Sequence, residues 1–167
     1  MRGPLAPSIA VPNRSRSLSI RPECLFVSGA RAPQLRCDHV PPPPPSDDEL
    51  IEELRRLDGI PQELLDHHEL MQLALPALRA DTALYRKYVY QDGPPPACPI
   101  CAYGGADDAR ITSGHLEDWA VQTTESFKLE VFPGGHFFPR THQGEFLRSL
   151  ARDLSELLAV TNSHARP

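Results

Sequence analysis

The chain has 167 residues, 40% of them hydrophobic and 7% aromatic, which suits one domain with a core of ordinary size. Its formal charge of −5, from 17 basic and 22 acidic residues, leaves no basic excess, and no Lys/Arg cluster interleaves with aromatic residues as a nucleic-acid partner would require. No apolar run reaches the roughly eighteen residues of a membrane helix, and the N-terminus lacks the apolar stretch of a secretory signal, so a cytoplasmic protein with no membrane partner is expected.

Residues 1–22 are rich in Pro, Ser and Arg, have no periodicity, and read as an unstructured tail. Their arginines, without acids, faintly resemble an organelle transit peptide, but no amphipathic pattern supports that. Cys24-Leu-Phe-Val-Ser28, closed by Gly29, has the form of a strand buried on both faces of a parallel sheet. A loop follows that ends in the prolines 41–45. At Ser46-Asp-Asp-Glu49 the capping-box spacing and three acids predict a helix start, and Leu50, Ile51, Leu54 and Leu57 form its apolar stripe until Gly59 stops it.

Pro61 predicts the first turn of a short helix carrying Leu64 and Leu65. A longer helical pattern from about Glu69 to Tyr88 places Leu70, Leu73, Ala74, Leu78, Ala80 and Leu84 on its stripe, with Pro76 kinking or dividing it. Cys98-Pro-Ile-Cys-Ala-Tyr103 reads as a second buried strand, ended by Gly104-Gly105-Ala106-Asp107-Asp108. Ser113 is the expected N-cap of a helix carrying Leu116, Trp119 and Ala120, with Trp119 a packing residue.

A third strand is expected over Lys128-Leu-Glu-Val-Phe132, then the turn Pro133-Gly-Gly-His136, then a helix from about His142 to Leu158 with Phe146, Leu147, Leu150, Ala151, Leu154, Leu157 and Leu158 on one face. Strands alternating with helices predict an α/β fold whose parallel strands are joined by right-handed crossovers. Residues 161–167 are a second tail. In such a sheet sites gather beyond the carboxyl ends of the strands, where Asp107, Asp108 and His136 fall. An imidazole titrates near neutrality and can serve as a general base there; a turn histidine bonded to a neighbour, beside solvated turn acids, is the plain alternative.

Cys98 and Cys101 have the C-x2-C spacing of a zinc or redox pair, but Cys24 and Cys37 supply no second such pair, so a small zinc or redox protein is the weakest reading. An acid after one strand and a histidine after the next is the second half of the Ser, Asp, His order of the α/β-hydrolases. Phe26-Val-Ser-Gly-Ala-Arg-Ala-Pro33, Leu75-Pro-Ala-Leu-Arg-Ala-Asp81, Cys98 through Asp108, and Phe132-Pro-Gly-Gly-His-Phe-Phe138 together resemble the type II thioesterases. These are the editing hydrolases that accompany nonribosomal peptide and polyketide synthetases in antibiotic biosynthesis.

The resemblance runs from about Glu23 to about Leu158 and covers the C-terminal portion of an α/β-hydrolase fold, so residues 23–160 form a partial thioesterase domain. It implies cleavage of acyl thioesters from the phosphopantetheine arm of an acyl or peptidyl carrier protein, with no cofactor and no metal. His136 matches the catalytic base and Asp108 the acid, with Asp107 in reserve. The helices of about residues 46–90 occupy the place of the family's lid. Pro139 stands where the family often has leucine.

No Gly-x-Ser-x-Gly nucleophile elbow occurs anywhere in the 167 residues. Ser28 matches a non-catalytic family position, and Ser113 reads as a helix cap. Three readings follow: a truncated or mis-started thioesterase, a non-catalytic remnant that binds a carrier protein or synthetase, and the zinc or redox protein. A sheet without its early strands also predicts an apolar edge and poor solubility.

Overall fold

The computed structural model describes residues 22–36, 44–57 and 60–164, the last five of these by backbone alone. Residues 1–21 of the expected first tail, residues 165–167 of the expected second, Cys37, the first three of the five prolines, and the Gly59 stop all lie outside the described residues; residues 161–164, expected as tail, are helical instead. Three parallel strands form the sheet in the order β1 (Leu25–Ser28), β2 (Ile100–Gly105), β3 (Phe127–Phe132). Leu25 pairs with Ile100, and Ile100 with Phe127, so all three carboxyl ends point the same way.

Alternation along the strands divides the side chains into two layers. Val27, Ile100 and Ala102 face one side, where Ile111, Leu116 and Trp119 cover them. Cys101, Tyr103 and Phe132 face the other, against Phe138 and Phe146. Trp119 is a packing residue as expected: it is 3% exposed, and its indole N–H donates to Ala30 O at 2.8 Å. The second layer is largely aromatic. Phe132 stacks on Phe138 with centroids 5.3 Å apart, and the ring of Phe146 stands edge-on to Tyr103, Phe132 and Phe138.

Several boundaries differ from the expectation. β2 begins after Cys98 and Pro99 and runs through both glycines, because Gly104 and Gly105 continue the ladder opposite Val131 and Phe132. Thr112, not Ser113, caps α4 (Ser113–Glu117): its hydroxyl accepts the His115 N–H, and His115 Nδ1 accepts the Thr112 N–H. The helix is one turn long, and residues 118–122 tighten into a 3-10 turn. β1 is buried on both faces only in part, since three of its four residues keep exposed surface.

The capping box of α1 (Asp47–Arg56) forms as its sequence predicts, with Ser46 and Glu49 bonded reciprocally. Pro61 precedes α2 (Gln62–Leu65) as its N-cap instead of starting it. α3 (His68–Lys87) passes through Pro76 as one helix. Its buried side is Met71 and Leu75, with Leu78 of the expected stripe packed beside Met71; Leu70, Leu73 and Leu84 of that stripe are exposed. Both rows have helical spacing, and the choice falls to Met71 because it meets Leu54 and Leu65 of α1 and α2. Each fully buried aliphatic chain in that cluster contributes about 1.5–3 kcal/mol, which holds the three helices together as a unit.

After β3 come α5 (Phe138–Thr141) and α6 (Gln143–His164). The expected face of α6 is also only half correct: Phe146 and Leu150 pack on the sheet, whereas Leu147, Leu154 and Leu158 are exposed. Two polar residues, Ser149 and Asp153, are buried in their place, because β3 presents Lys128 and Glu130 to α6. Tyr103 donates its hydroxyl to Asp153 Oδ2 at 2.6 Å, Lys128 Nζ donates to Oδ1, and Ser149 Oγ donates to Glu130 at 2.6 Å.

Burial opposes the charge on Asp153, but the bonds from Lys128 and Tyr103 outweigh it and hold the carboxyl below the usual range. A carboxyl depressed by folding stabilises above its unfolded range, near pH 4, and the contribution fades as pH falls through that range and below. Asp153→Ala is therefore expected to lower stability to urea by roughly 1–3 kcal/mol at pH 7. The gap between wild type and variant should narrow below about pH 4, and a gap equal at pH 3 and pH 7 would contradict the assignment.

Candidate active site

Beyond the carboxyl end of β2 the chain turns through Ala106 and Asp107 into Asp108. Asp108 Oδ1 accepts the backbone N–H of Arg110 at 2.8 Å and of Ile111 at 3.1 Å. The side chain folds back over its own turn and is wholly buried. Its second oxygen, Oδ2, meets His136 Nδ1 at 2.7 Å. Burial pushes the carboxyl up, but the His136 ring and the two amides outweigh that effect and keep it below the usual carboxylate range. An ionised carboxylate only accepts, so Nδ1 carries the proton of the neutral ring and Nε2 is left with its lone pair. No described residue hydrogen-bonds to Nε2.

The turn that carries His136 is held by backbone. Ala106 N donates to Phe132 O at 2.8 Å and Asp107 N to Gly134 O at 2.9 Å, so the β2 and β3 turns are laced to each other. Gly105 makes this approach feasible: a β-carbon there would collide with the carbonyl oxygens of Gly134 and Gly135. On the other side the ring lies over the end of β1, where Gly29 has a positive φ of 55° and a β-carbon would stand 3.3 Å from His136 Cε1. The histidine thus reaches from the third strand, past the second, to the end of the first.

Asp107, the reserve acid, is exposed and directs no bond to the ring; its amide closes the turn. Ser28 is exposed and makes no hydrogen bond to His136. A cavity of about 1660 Å³ opens beside the ring. β1 and His136 form one wall, and Leu50, Leu54, Met71 and Leu78 of the lid helices form another. Nearer the mouth, Arg110 pairs with Glu53 at 3.1 Å and Arg31 donates to Arg110 O at 3.2 Å, so the lid is tied to the acid's loop. Pattern reading missed this link: Arg31 stands in the Phe26–Pro33 motif and Arg110 just after Asp108, but neither pattern shows what an arginine pairs with.

Cys98 and Cys101 are buried, and burial pushes both thiols up; Cys24, beside Cys101, is pushed up to about 12, first by burial. A redox or zinc-binding cysteine needs an accessible thiolate, so these thiols are poorly suited to either role. Among the described residues no three His, Cys, Asp or Glu side chains gather as a metal site would require, and no helix is long and apolar enough to cross a membrane.

A parallel sheet with a buried acid and a histidine joined beyond its strand ends, under a helical lid, defines part of an α/β-hydrolase. The family model described as a thioesterase domain matches residues 5–154. The gramicidin S biosynthesis protein GrsT of Aneurinibacillus migulanus is 38% identical over 141 residues, 84% of this chain and 55% of that protein. The thioesterase PikA5 of Streptomyces venezuelae is 34% identical, over 85% of this chain and 49% of its own length. The solved type II thioesterase BorB of the borrelidin biosynthetic cluster superposes with a TM-score of 0.70 at 37% identity, over 83% of this chain and 57% of BorB.

The chain belongs to the thioesterase domain family and is similar to the type II thioesterases of nonribosomal peptide and polyketide clusters. It spans about half the length of the curated relatives it matches.

The balance of forces on Asp108 is open to a direct check. His136→Ala removes the largest of the bonds that lower this carboxyl and leaves the two amides in place. Carboxyl-carbon NMR is expected to show the Asp108 midpoint moving up in that variant; an unchanged midpoint would mean that the ring does not hold it.

Proposed function

We propose that the chain supplies the base, the acid and the lid of a thioesterase that releases acyl groups from the phosphopantetheine arms of carrier proteins in secondary-metabolite biosynthesis. The observation that carries this reading is the 2.7 Å contact between His136 Nδ1 and a buried, ionised Asp108, with Nε2 unpartnered beside an apolar cavity. Asp108 fixes the tautomer and stabilises the imidazolium. His136 Nε2 takes the proton of a nucleophilic hydroxyl as its oxygen attacks the thioester carbonyl, and then gives that proton to the departing thiolate. Water, activated by the same nitrogen, cleaves the acyl–oxygen bond and restores the hydroxyl.

Among the described residues no serine is hydrogen-bonded to His136. Ser28 lies at the end of β1 without a bond to the base, and no Gly-x-Ser-x-Gly elbow occurs in the sequence. We therefore propose that this polypeptide alone has little or no thioesterase activity. The alternative, a non-catalytic part that binds a carrier protein or synthetase, is favoured by the same lack and opposed by the preserved acid–histidine pair.

Pure chain incubated with an acyl-pantetheine thioester is expected to release thiol no faster than buffer. Release that exceeds the background and is abolished by His136→Ala would overturn that expectation and identify a nucleophile within these 167 residues.

A further inference from the structure

Beside the chamber under the lid lies a second, smaller cavity of about 520 Å³, and the two differ in lining. Leucines, Met71 and β1 wall the large one, whereas Asp107, Asp108, Gly135 and charged side chains wall the small one. Arg31, Glu53, Arg110 and His136 belong to both, so they stand where the cavities join. A molecule bound at this junction can keep an apolar tail in the large cavity and a charged head beside the arginines.

Both arginines are held in place. Arg31 is carried by a pinned segment: Ala30 O accepts the Trp119 indole N–H, Ala32 is fully buried, and Gln34 donates to Asp118 O at 2.7 Å. Its guanidinium is directed by the bond to Arg110 O at 3.2 Å. Arg110 is fixed through its amide, which donates to Asp108 Oδ1, and its Nε meets Glu53 Oε1 at 3.1 Å. Among the described residues no carboxylate pairs with Arg31, and none but Glu53 pairs with Arg110. A guanidinium has five N–H donors, so each arginine can serve a further acceptor. Glu53 belongs to α1 of the lid, and the side chains of its pair with Arg110 are 39% and 36% exposed. An ion pair so open to water holds weakly, and a second carboxylate can replace it.

We infer that Arg31 and Arg110 form a carboxylate seat beside the base, which Glu53 of the lid fills here and which the carboxylate of a released acyl chain takes in its place. The inference rests on the function proposed above. Hydrolysis of a neutral acyl thioester by water yields a thiol and a carboxylic acid that ionises at neutral pH, so a negative charge appears beside His136 only once the reaction is over. The acyl tail remains in the apolar chamber while its new charge pairs with the arginines and displaces Glu53. With that exchange α1 gives up its tie to the acid's loop as the product forms.

Titration of the full chain with hexanoate tests the seat without turnover. Arginine Nε–H NMR is expected to show the Arg31 and Arg110 signals moving together. Hexanamide, with the same tail and no charge, and inorganic phosphate, with charge and no tail, should each bind about fivefold or more weakly. Glu53→Gln removes the resident competitor and should tighten hexanoate about two- to fivefold. Glu52→Gln, which removes an acid that pairs with Arg55 and Arg56 instead, should leave binding nearly unchanged. Arg31→Gln should weaken it about fivefold or more, and Arg31→Lys should restore part of the loss. Hexanamide binding as tightly as hexanoate, equal tightening by Glu53→Gln and Glu52→Gln, or binding indifferent to Arg31→Gln would overturn the seat. Phosphate binding as tightly as hexanoate would overturn its assignment to an acyl carboxylate. Since binding alone is read, a chain that releases no thiol leaves the seat standing, and a failed seat leaves the acid–histidine pair standing.

Discussion

Everything at the strand ends depends on how one buried carboxylate is satisfied. Asp108 has no exposed side-chain surface, and a buried charge without partners would cost several kcal/mol or give up its charge. Its three bonds come from the amides of Arg110 and Ile111 and the ring of His136, that is, from its own loop and from the turn after the next strand. The acid therefore needs the histidine as much as the histidine needs the acid. The backbone lacing of Ala106 and Asp107 to the β3 turn, and the missing side chain at Gly105, bring the two within reach.

The same parallel register sets the span of the site. Acid and base sit after the second and third strands, and the ring extends back over the end of the first. At β1 the sheet edge carries no charged side chain, and α6 shows exposed leucines.

Much of this was legible in the sequence. Short apolar runs closed by glycine gave the strands, the Ser46/Glu49 spacing gave the start of α1, and the order of acid and histidine pointed to the strand ends. The choice of Asp108 over Asp107 needed the family pattern, since composition treats adjacent acids alike; the structure separates them by burial. The helix faces were less legible. In α3 and α6 two rows of residues have helical spacing, and the leucine-rich row was expected inside. Met71 is inside because α1 and α2 stand there, and Ser149 and Asp153 because β3 offers charged partners. Periodicity identifies that a helix has a face, but only the neighbouring element selects it. Gly104 and Gly105 read as a strand end, yet they continue the ladder; Gly105 leaves room for the turn after β3, and Gly104 for Leu116.

The central claim is that the chain holds a preassembled acid–base pair through a proton on His136 Nδ1 directed at Asp108. Proton NMR of the full chain tests it most directly. The account predicts a slowly exchanging downfield imidazole proton that persists in Asp107→Asn and disappears in Asp108→Asn. Absence of that proton in the wild type, or its loss with Asp107 in place of Asp108, would contradict it.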